Sequence, residues 1–205
     1  MKKLFDILTE GLYDPGIFKA FFLAGGPGSG KTFVTQNAFA GSGLKIVNSD
    51  RAFERGLKKV GLSLSMPDEE AYFRDMIRKQ AKAVSTKQLD AYIEGRLGLI
   101  IDATGRDYQL VQSQVGMLKN IGYDCFMIFV NTSLDVALER QKKRERQVPE
   151  YIVKKSWEGV QSNIGKFQNL FGLSNFLVVD NNRSEQELVT QTLNKVSREV
   201  RKLIN

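Results

Sequence analysis

Eight consecutive residues carry the most specific chemistry in the chain: Gly25-Gly26-Pro27-Gly28-Ser29-Gly30-Lys31-Thr32. They fit G-x-x-x-x-G-K-[ST], the pattern of a phosphate-binding loop. Glycines carry no Cβ, so the backbone can curl tightly and turn its N–H groups toward a phosphate. In that pattern Lys31 places an ammonium on the β- and γ-phosphates, and the Thr32 hydroxyl becomes a ligand for Mg²⁺. The flanks suit the motif. Ala20-Phe21-Phe22-Leu23-Ala24 reads as a buried strand before the loop, and Phe33–Phe39 reads as a helix after it. A helix N-terminus then lies beneath the phosphates. A plain glycine turn would not explain Lys-Thr at the helix start. The motif implies a nucleoside triphosphate, ATP with Mg²⁺, held by all eight residues, with Lys31 also catalytic.

The chain has no histidine, so imidazole catalysis and His-based metal sites are excluded. Chemistry is left to carboxylates, Lys, Arg and a bound metal. Two carboxylates stand where strands are expected to end. Asp50 follows Leu44–Asn48, and Asp102 follows the apolar run Leu97–Ile101. Ligands of open α/β sheets bind outside the carboxyl ends of strands. Phosphoryl transfer asks for positioning, charge stabilisation and an acceptor of the hydroxyl proton. Asp50 is the candidate for that proton, with Arg51 beside it for substrate. Asp102 is the candidate for Mg²⁺ or for gripping the substrate, together with Thr104 and Arg106. A lone Asp in such a place is also a common helix N-cap, and the sequence leaves both roles open. The run Lys142–Gln147 ending at Val148-Pro149 interrupts a helical pattern and reads as a basic lid over about 141–149, with Arg140, Arg144 and Arg146 as candidate phosphate contacts. Asn181, Asn182 and Arg183 follow the last expected strand, where either an adenine ring or a plain turn fits. Cys125 lies in Cys125–Val130, an apolar run, and reads as a core thiol.

The elements that must position these groups alternate in type. Strands are expected at 20–24, 44–48, 97–101, 123–130 and 176–179. Helices are expected at 33–39, 51–60, from Pro67-Asp68 onward with an apolar face of Tyr72, Phe73, Met76 and Ile77, up to Ile121, at 133–141, at 150–171 and at 184–204. In the long helix, Arg74, Arg78, Lys79, Lys82 and Lys87 read as a solvated face. Residues 1–18 form an amphipathic preface with Leu4, Leu8 and Leu12 at helical spacing. Alternation of this kind implies a parallel α/β sheet covered on both faces.

Composition sets the outer limits. At 205 residues and 42% hydrophobic, one globular domain with an ample core is expected. No stretch reaches the ~20 apolar residues needed to span a bilayer, and a single cysteine suits a reducing cytoplasm. The net charge of +7 invites a nucleic-acid partner, but residues 138–155 alone supply +4 of it. The charge is therefore weak evidence for a polyanion.

The phosphate loop, Asp50, Ile100-Ile101-Asp102-Ala103-Thr104-Gly105-Arg106 and the basic segment closed by Val148-Pro149 resemble the zeta-toxin and polynucleotide-kinase group of P-loop kinases. The resemblance implies a nucleotide-kinase-like three-layer sandwich with about five parallel strands. It also implies that Asp102, Thr104 and Arg106 face the acceptor, that Asp50 is the base, and that Arg140 and Arg146 meet the ATP phosphates. Zeta-toxin kinases end the third strand in Glu-Gly-Thr-Gly-Arg, where this chain has Asp-Ala-Thr-Gly-Arg. Polynucleotide kinases often carry Asp-x-x-Arg after the second strand, where this chain has Phe53.

The function expected on these grounds is transfer of the γ-phosphoryl of ATP to a hydroxyl of a nucleotide, nucleotide sugar or nucleic-acid end. A dedicated polynucleotide 5′-hydroxyl kinase is the narrower alternative. A regulatory module that binds ATP without transfer is the alternative of another class.

Overall fold

A computed structural model describes residues 16–65, 67–102, 104–146, 148–182 and 186–204. The expected N-terminal helix and Arg183 lie outside the described residues. Five strands form one sheet: β1 Lys19–Ala24, β2 Lys45–Val47, β3 Leu99–Asp102, β4 Asp124–Asn131 and β5 Phe176–Asp180. Among the described residues there are eight α-helices: α1 Lys31–Ala38, α2 Ser49–Val60, α3 Ala71–Glu94, α4 Tyr108–Asn120, α5 Leu134–Lys142, α6 Glu150–Gln161, α7 Ile164–Phe171 and α8 Gln186–Ile204.

The strand order is β2-β3-β1-β4-β5, and every pairing is parallel. The expected α/β sandwich is therefore the fold. Alternate side chains of β1 divide its core. Phe22 and Ala24 join β3, β4, α4, α6 and α7 on one face. Phe21 and Leu23 join Val34 and Ala38 of α1 and Val196, Val200 and Ile204 of α8 on the other. Successive residues of a strand point to opposite faces, so a continuous apolar run is what a strand buried on both sides requires. Cys125 is part of this core, 1% exposed, and burial pushes its thiol up to about 11. A core role, not a nucleophilic one, follows.

Three expectations are corrected. The helix expected over 150–171 is two helices, because the chain turns at Ser162-Asn163 and Asn163 sends its side-chain amide to the Gly105 and Arg106 carbonyls, at 3.2 and 2.9 Å. The expected apolar face of α3 is mostly outward. Tyr72, Phe73 and Met76 are exposed, while Ile77, Ala81 and Leu89 are the buried residues. The expected solvated face of α3 is broken by Arg78, which is half-buried and faces α2.

A third, smaller core of Phe53, Leu57, Ile77 and Ala81 joins α2 to α3, with Val148 packed against it. It ties the segment following the basic loop to the α2–α3 pair. Among the described residues no helix is long and apolar enough to cross a membrane.

Candidate active site

The phosphate loop springs from β1, which lies between β3 and β4 in the sheet. Gly28 and Gly30 adopt left-handed backbones, with φ of 82° and 90°. Space adds to the demand for glycine. A Cβ on Gly28 would collide with the Ala137 carbonyl of α5, and one on Gly30 would collide with the Asn181 side-chain amide. The Ser29 carbonyl accepts two hydrogen bonds, from the Thr132 hydroxyl at 3.1 Å and the Asn181 amide at 2.7 Å. The Gly25 N–H donates to the Thr104 carbonyl at 2.9 Å, stitching the loop to the segment after β3. The indole N–H of Trp157 donates to the Thr132 carbonyl at 2.7 Å, and the α6 backbone at that residue packs beside Gly26.

α1 begins at Lys31. The first-turn amides of a helix have no acceptor within it, and with the helix dipole they favour an anion. The Lys31 ammonium donates to the Gly25 carbonyl at 2.6 Å and the Gly26 carbonyl at 3.4 Å, inside the loop. Burial lowers its pKa, and the carboxylates of Asp102 and Asp50 oppose that shift. Among the described residues the buried Ser29 hydroxyl has no hydrogen-bond partner. An inward cation, helix amides and a spare hydroxyl fit a bound polyphosphate.

The second group of side chains gathers at the ends of β2 and β3. Asn48 organises it. Its Oδ1 accepts the Asp50 N–H at 2.7 Å, capping α2, and its Nδ2 donates to Asp102 Oδ2 at 2.6 Å. Asn48 therefore takes the capping role that Asp50 could have filled. The Asp50 carboxylate is left to meet two guanidiniums, Arg78 at 2.7 Å and Arg146 at 3.3 Å. Arg78 also lies over the Phe53 ring at 3.7 Å, a cation–π geometry. Arg146 reaches Glu54 at 3.0 Å. Burial pushes the Asp50 carboxyl up, but Arg146 and Arg78 outweigh it and hold the group below the usual carboxylate range.

Asp102 behaves in the opposite way. Burial raises its pKa, Lys31 opposes the shift, and the Asp50 charge adds to it. The parallel register pairs Asp102 with Leu23, two residues before Gly25. Asp102 and Lys31 each act on the other through the field. Thr32 is exposed at the start of α1. Together Thr32 and Asp102 offer hard oxygen donors, and no cluster of three or more Asp, Glu, Cys or His forms among the described residues. Mg²⁺ is commonly held by one or two protein oxygens together with phosphates and waters, and this donor set fits it.

The remaining expected residues are placed as follows. Arg51 is exposed on α2 and acts on Asp102 through the field. Thr104 is exposed, with its carbonyl on the phosphate loop. Arg106 lays its aliphatic stem over Gly159 of α6. Arg140 donates to the Asn181 carbonyl at 2.8 Å. Arg144 is exposed and acts on Lys31 and Asp102 through the field. The Asn181 N–H donates to the Asn131 carbonyl at 2.9 Å, and Asn182 accepts from the Ser133 N–H at 2.6 Å. Sequence reasoning missed Asn48, Arg78, Thr132 and Asn163. Asn48 alone had a readable signal, an N-cap residue directly before Ser-Asp.

A family model described as AAA domain matches residues 21–166, which include the phosphate loop, both carboxylates and the basic loop. The chain belongs to the AAA domain family. This AAA domain protein is 24% identical over 183 residues to a shikimate kinase of Sulfurihydrogenibium sp. (strain YO3AOP1), covering 88% of this chain and 99% of that protein. Its fold resembles a chain of the PezAT chromosomal toxin–antitoxin system of Streptococcus pneumoniae, with TM-score 0.53, 14% identity, and 91% and 87% of the two chains covered. It also resembles a chain of the Pnkp1/Rnl/Hen1 RNA repair complex, with TM-score 0.57, 21% identity, and 74% and 46% covered. The expected likeness to zeta-toxin and polynucleotide-kinase folds is thereby met. Within the AAA domain family the protein is a P-loop kinase, an ATP-dependent phosphotransferase.

Proposed function

We propose that the kinase transfers the γ-phosphoryl of ATP to a hydroxyl of an anionic acceptor, a nucleotide, nucleotide sugar or nucleic-acid end. The observation that carries this reading is the placement of Asp50. It is relieved of capping by Asn48, flanked by Arg78 and Arg146, and close enough to Lys31 to perturb it.

In this reading the loop amides and Lys31 hold the β- and γ-phosphates, and Arg140 and Arg144 approach them from the basic segment, which acts as a lid. The acceptor lies across the ends of β2 and β3, against Asp50, Arg51, Asp102, Thr104 and Arg106. Its hydroxyl donates a hydrogen bond to Asp50, which fixes a lone pair of the oxygen in line with the γ-phosphorus. The new O–P bond forms as the bond from the γ-phosphorus to the β–γ bridging oxygen breaks. ADP leaves, and the hydroxyl proton passes to Asp50. A loose transition state needs an orienting acceptor more than a strong base, and a carboxylate held ionised by two arginines suits that task. Mg²⁺, held by Thr32 and Asp102 with the phosphates, would neutralise charge developing on the transferred group. Asn181 and Asn182 are proposed to border the adenine. Arg78 and Arg146 add positive charge on the acceptor side, which supports an acceptor bearing phosphate.

A small hydroxy acid is the second reading, supported by the relative named shikimate kinase and by the same two guanidiniums, which match a carboxylate equally well. The deciding experiment incubates the enzyme with γ-labelled ATP and Mg²⁺ and a panel of 5′-hydroxyl DNA and RNA, nucleosides, UDP-N-acetyl sugars and shikimate. Lys31→Ala serves as blank. Label on a nucleotide, sugar nucleotide or oligonucleotide end supports the first reading, and label on shikimate the second. Absence of any Lys31-dependent transfer or hydrolysis would leave a non-transferring ATP-binding module.

A further inference from the structure

Thr132 lies just beyond the end of β4, in no motif, and is 2% exposed. Its hydroxyl and the Asn181 side-chain amide converge on one acceptor, the Ser29 carbonyl. That carbonyl belongs to the Ser29–Gly30 peptide, at the crown of the phosphate loop. No cis peptide occurs among the described residues. In a planar trans peptide the C=O and N–H point in opposite directions. Two donors gripping the carbonyl from one side therefore fix the Gly30 N–H on the other.

We infer that Thr132 is a positioning residue that aims the Gly30 amide at the phosphates of ATP, with Asn181 as the second donor on the same carbonyl. The inference rests on the reading of Gly25–Thr32 as the phosphate loop. Three features make the arrangement specific. Gly30 has φ of 90°, a backbone that side chains other than glycine rarely adopt. The missing Cβ of Gly30 is what leaves room for the Asn181 amide. Thr132 is itself held, since the Trp157 indole donates to its carbonyl. With the hydroxyl gone, a buried carbonyl keeps one donor instead of two and the peptide plane gains freedom to rotate. An amide that must be frozen before it binds costs affinity, because preorganisation is lost.

The test uses the full-length protein and titrates ATP and, separately, inorganic tripolyphosphate, with Mg²⁺ present. Thr132→Val keeps the shape and removes the hydroxyl, and Thr132→Ser restores it. Thr132→Val should weaken both ligands by about tenfold, the upper range of one net hydrogen bond, and Thr132→Ser should recover most of the loss. Equal weakening of both ligands places the defect at the phosphates and not at the nucleoside. Unchanged binding by Thr132→Val overturns the inference. So does a loss that Thr132→Ser fails to rescue, or one confined to ATP with tripolyphosphate unaffected. Should Thr132→Val fold poorly, Asn181→Ala reports on the same carbonyl, and unchanged affinity for both ligands there overturns the two-donor arrangement. A wild-type protein that binds neither ligand would instead sink the phosphate-loop reading beneath the inference.

Discussion

Arg146 joins the basic loop to Asp50 and Glu54 of α2: its Nη2 lies 3.3 Å from Asp50 Oδ2, while its Nε lies 3.0 Å from Glu54 Oε1. The Arg146 side chain is only 13% exposed. Two further contacts tie the same segment to α2 and α3, Glu145 to Lys58 at 3.7 Å and Val148 on the Phe53–Leu57–Ile77 core. The exposed Glu145 pair adds little, as surface pairs generally do. The arginine and the valine hold the segment down. A residue expected from the family resemblance to meet ATP is thus paired with the residue proposed to orient the acceptor.

On the proposed mechanism the pairing should set the acid limit of the reaction. Arg146 and Arg78 lower the Asp50 pKa against the upward effect of burial. The ionised, hydrogen-bond-accepting form therefore persists to unusually low pH and is lost only as pH falls through that depressed value. Removing Arg146 lets burial count for more, so the acid limb governed by Asp50 should move to higher pH in Arg146→Ala. The kcat/KM for acceptor should also fall at neutral pH, by about tenfold or more. Steady-state pH profiles of the two proteins check both points, and an unshifted limb would argue against the contact controlling Asp50.

Replacing Asp50 by Asn keeps the volume and removes the charge. Transfer should drop by about 10²–10⁴-fold, the range of a positioned proton acceptor, while ATP affinity stays within a few-fold. Isothermal titration with ATP alongside initial rates separates the two effects. Full activity in Asp50→Asn would remove Asp50 from the mechanism.

Asp102 should trade stability for function. Burial raises its folded pKa above the unfolded value, so the folded state binds the proton more tightly. Stability then falls as pH rises from the unfolded to the folded pKa, and it stays lower at neutral pH. Asp102→Asn removes that charge, and its side-chain oxygen can still accept from Asn48 Nδ2. The variant should melt higher than wild type at neutral pH and lose this advantage in acid, while transfer falls sharply. Thermal melts across pH check the sign.

Much of this site is legible in the sequence, for definite physical reasons. The phosphate loop is local in sequence, so its glycines, Lys31 and Thr32 announce themselves together. Asp50 and Asp102 were legible because apolar runs mark strand ends, and strand ends are where ligands gather. Arg78 was not legible. Along α3 it resembles Arg74 and Lys82, and only the docking of α3 on α2 turns it toward Asp50. Thr132 and Asn163 stayed hidden for the same reason, since each acts on a carbonyl distant in sequence, Ser29 in one case and Gly105 in the other. Helical periodicity also overstated α3, where Tyr72, Phe73 and Met76 make an apolar stripe that stays largely exposed. A stripe identifies an amphipathic helix, but it does not say which apolar residues reach the core.

The two glycines Gly28 and Gly116 give a paired test of why the loop needs glycine. Gly28 has φ of 82°, and an added Cβ would run into the backbone carbonyl of Ala137. A carbonyl inside α5 cannot swing aside as a side chain would, so the loop itself must shift. Gly28→Ala should cost at least the ~1–2 kcal/mol of a left-handed residue with a Cβ, and it should weaken ATP binding further by displacing the loop amides. Gly116 sits within α4, and a Cβ there would meet nothing within 4 Å. Gly116→Ala should instead stabilise by about 0.5–1 kcal/mol through helix propensity, a rise of roughly 2–4 °C in Tm at the upper value, with ATP binding unchanged. The same substitution thus has opposite signs at the two positions. Melting temperatures and ATP titrations of both variants decide it, and a Gly28→Ala protein with wild-type affinity for ATP would contradict the tight fit between the loop and α5.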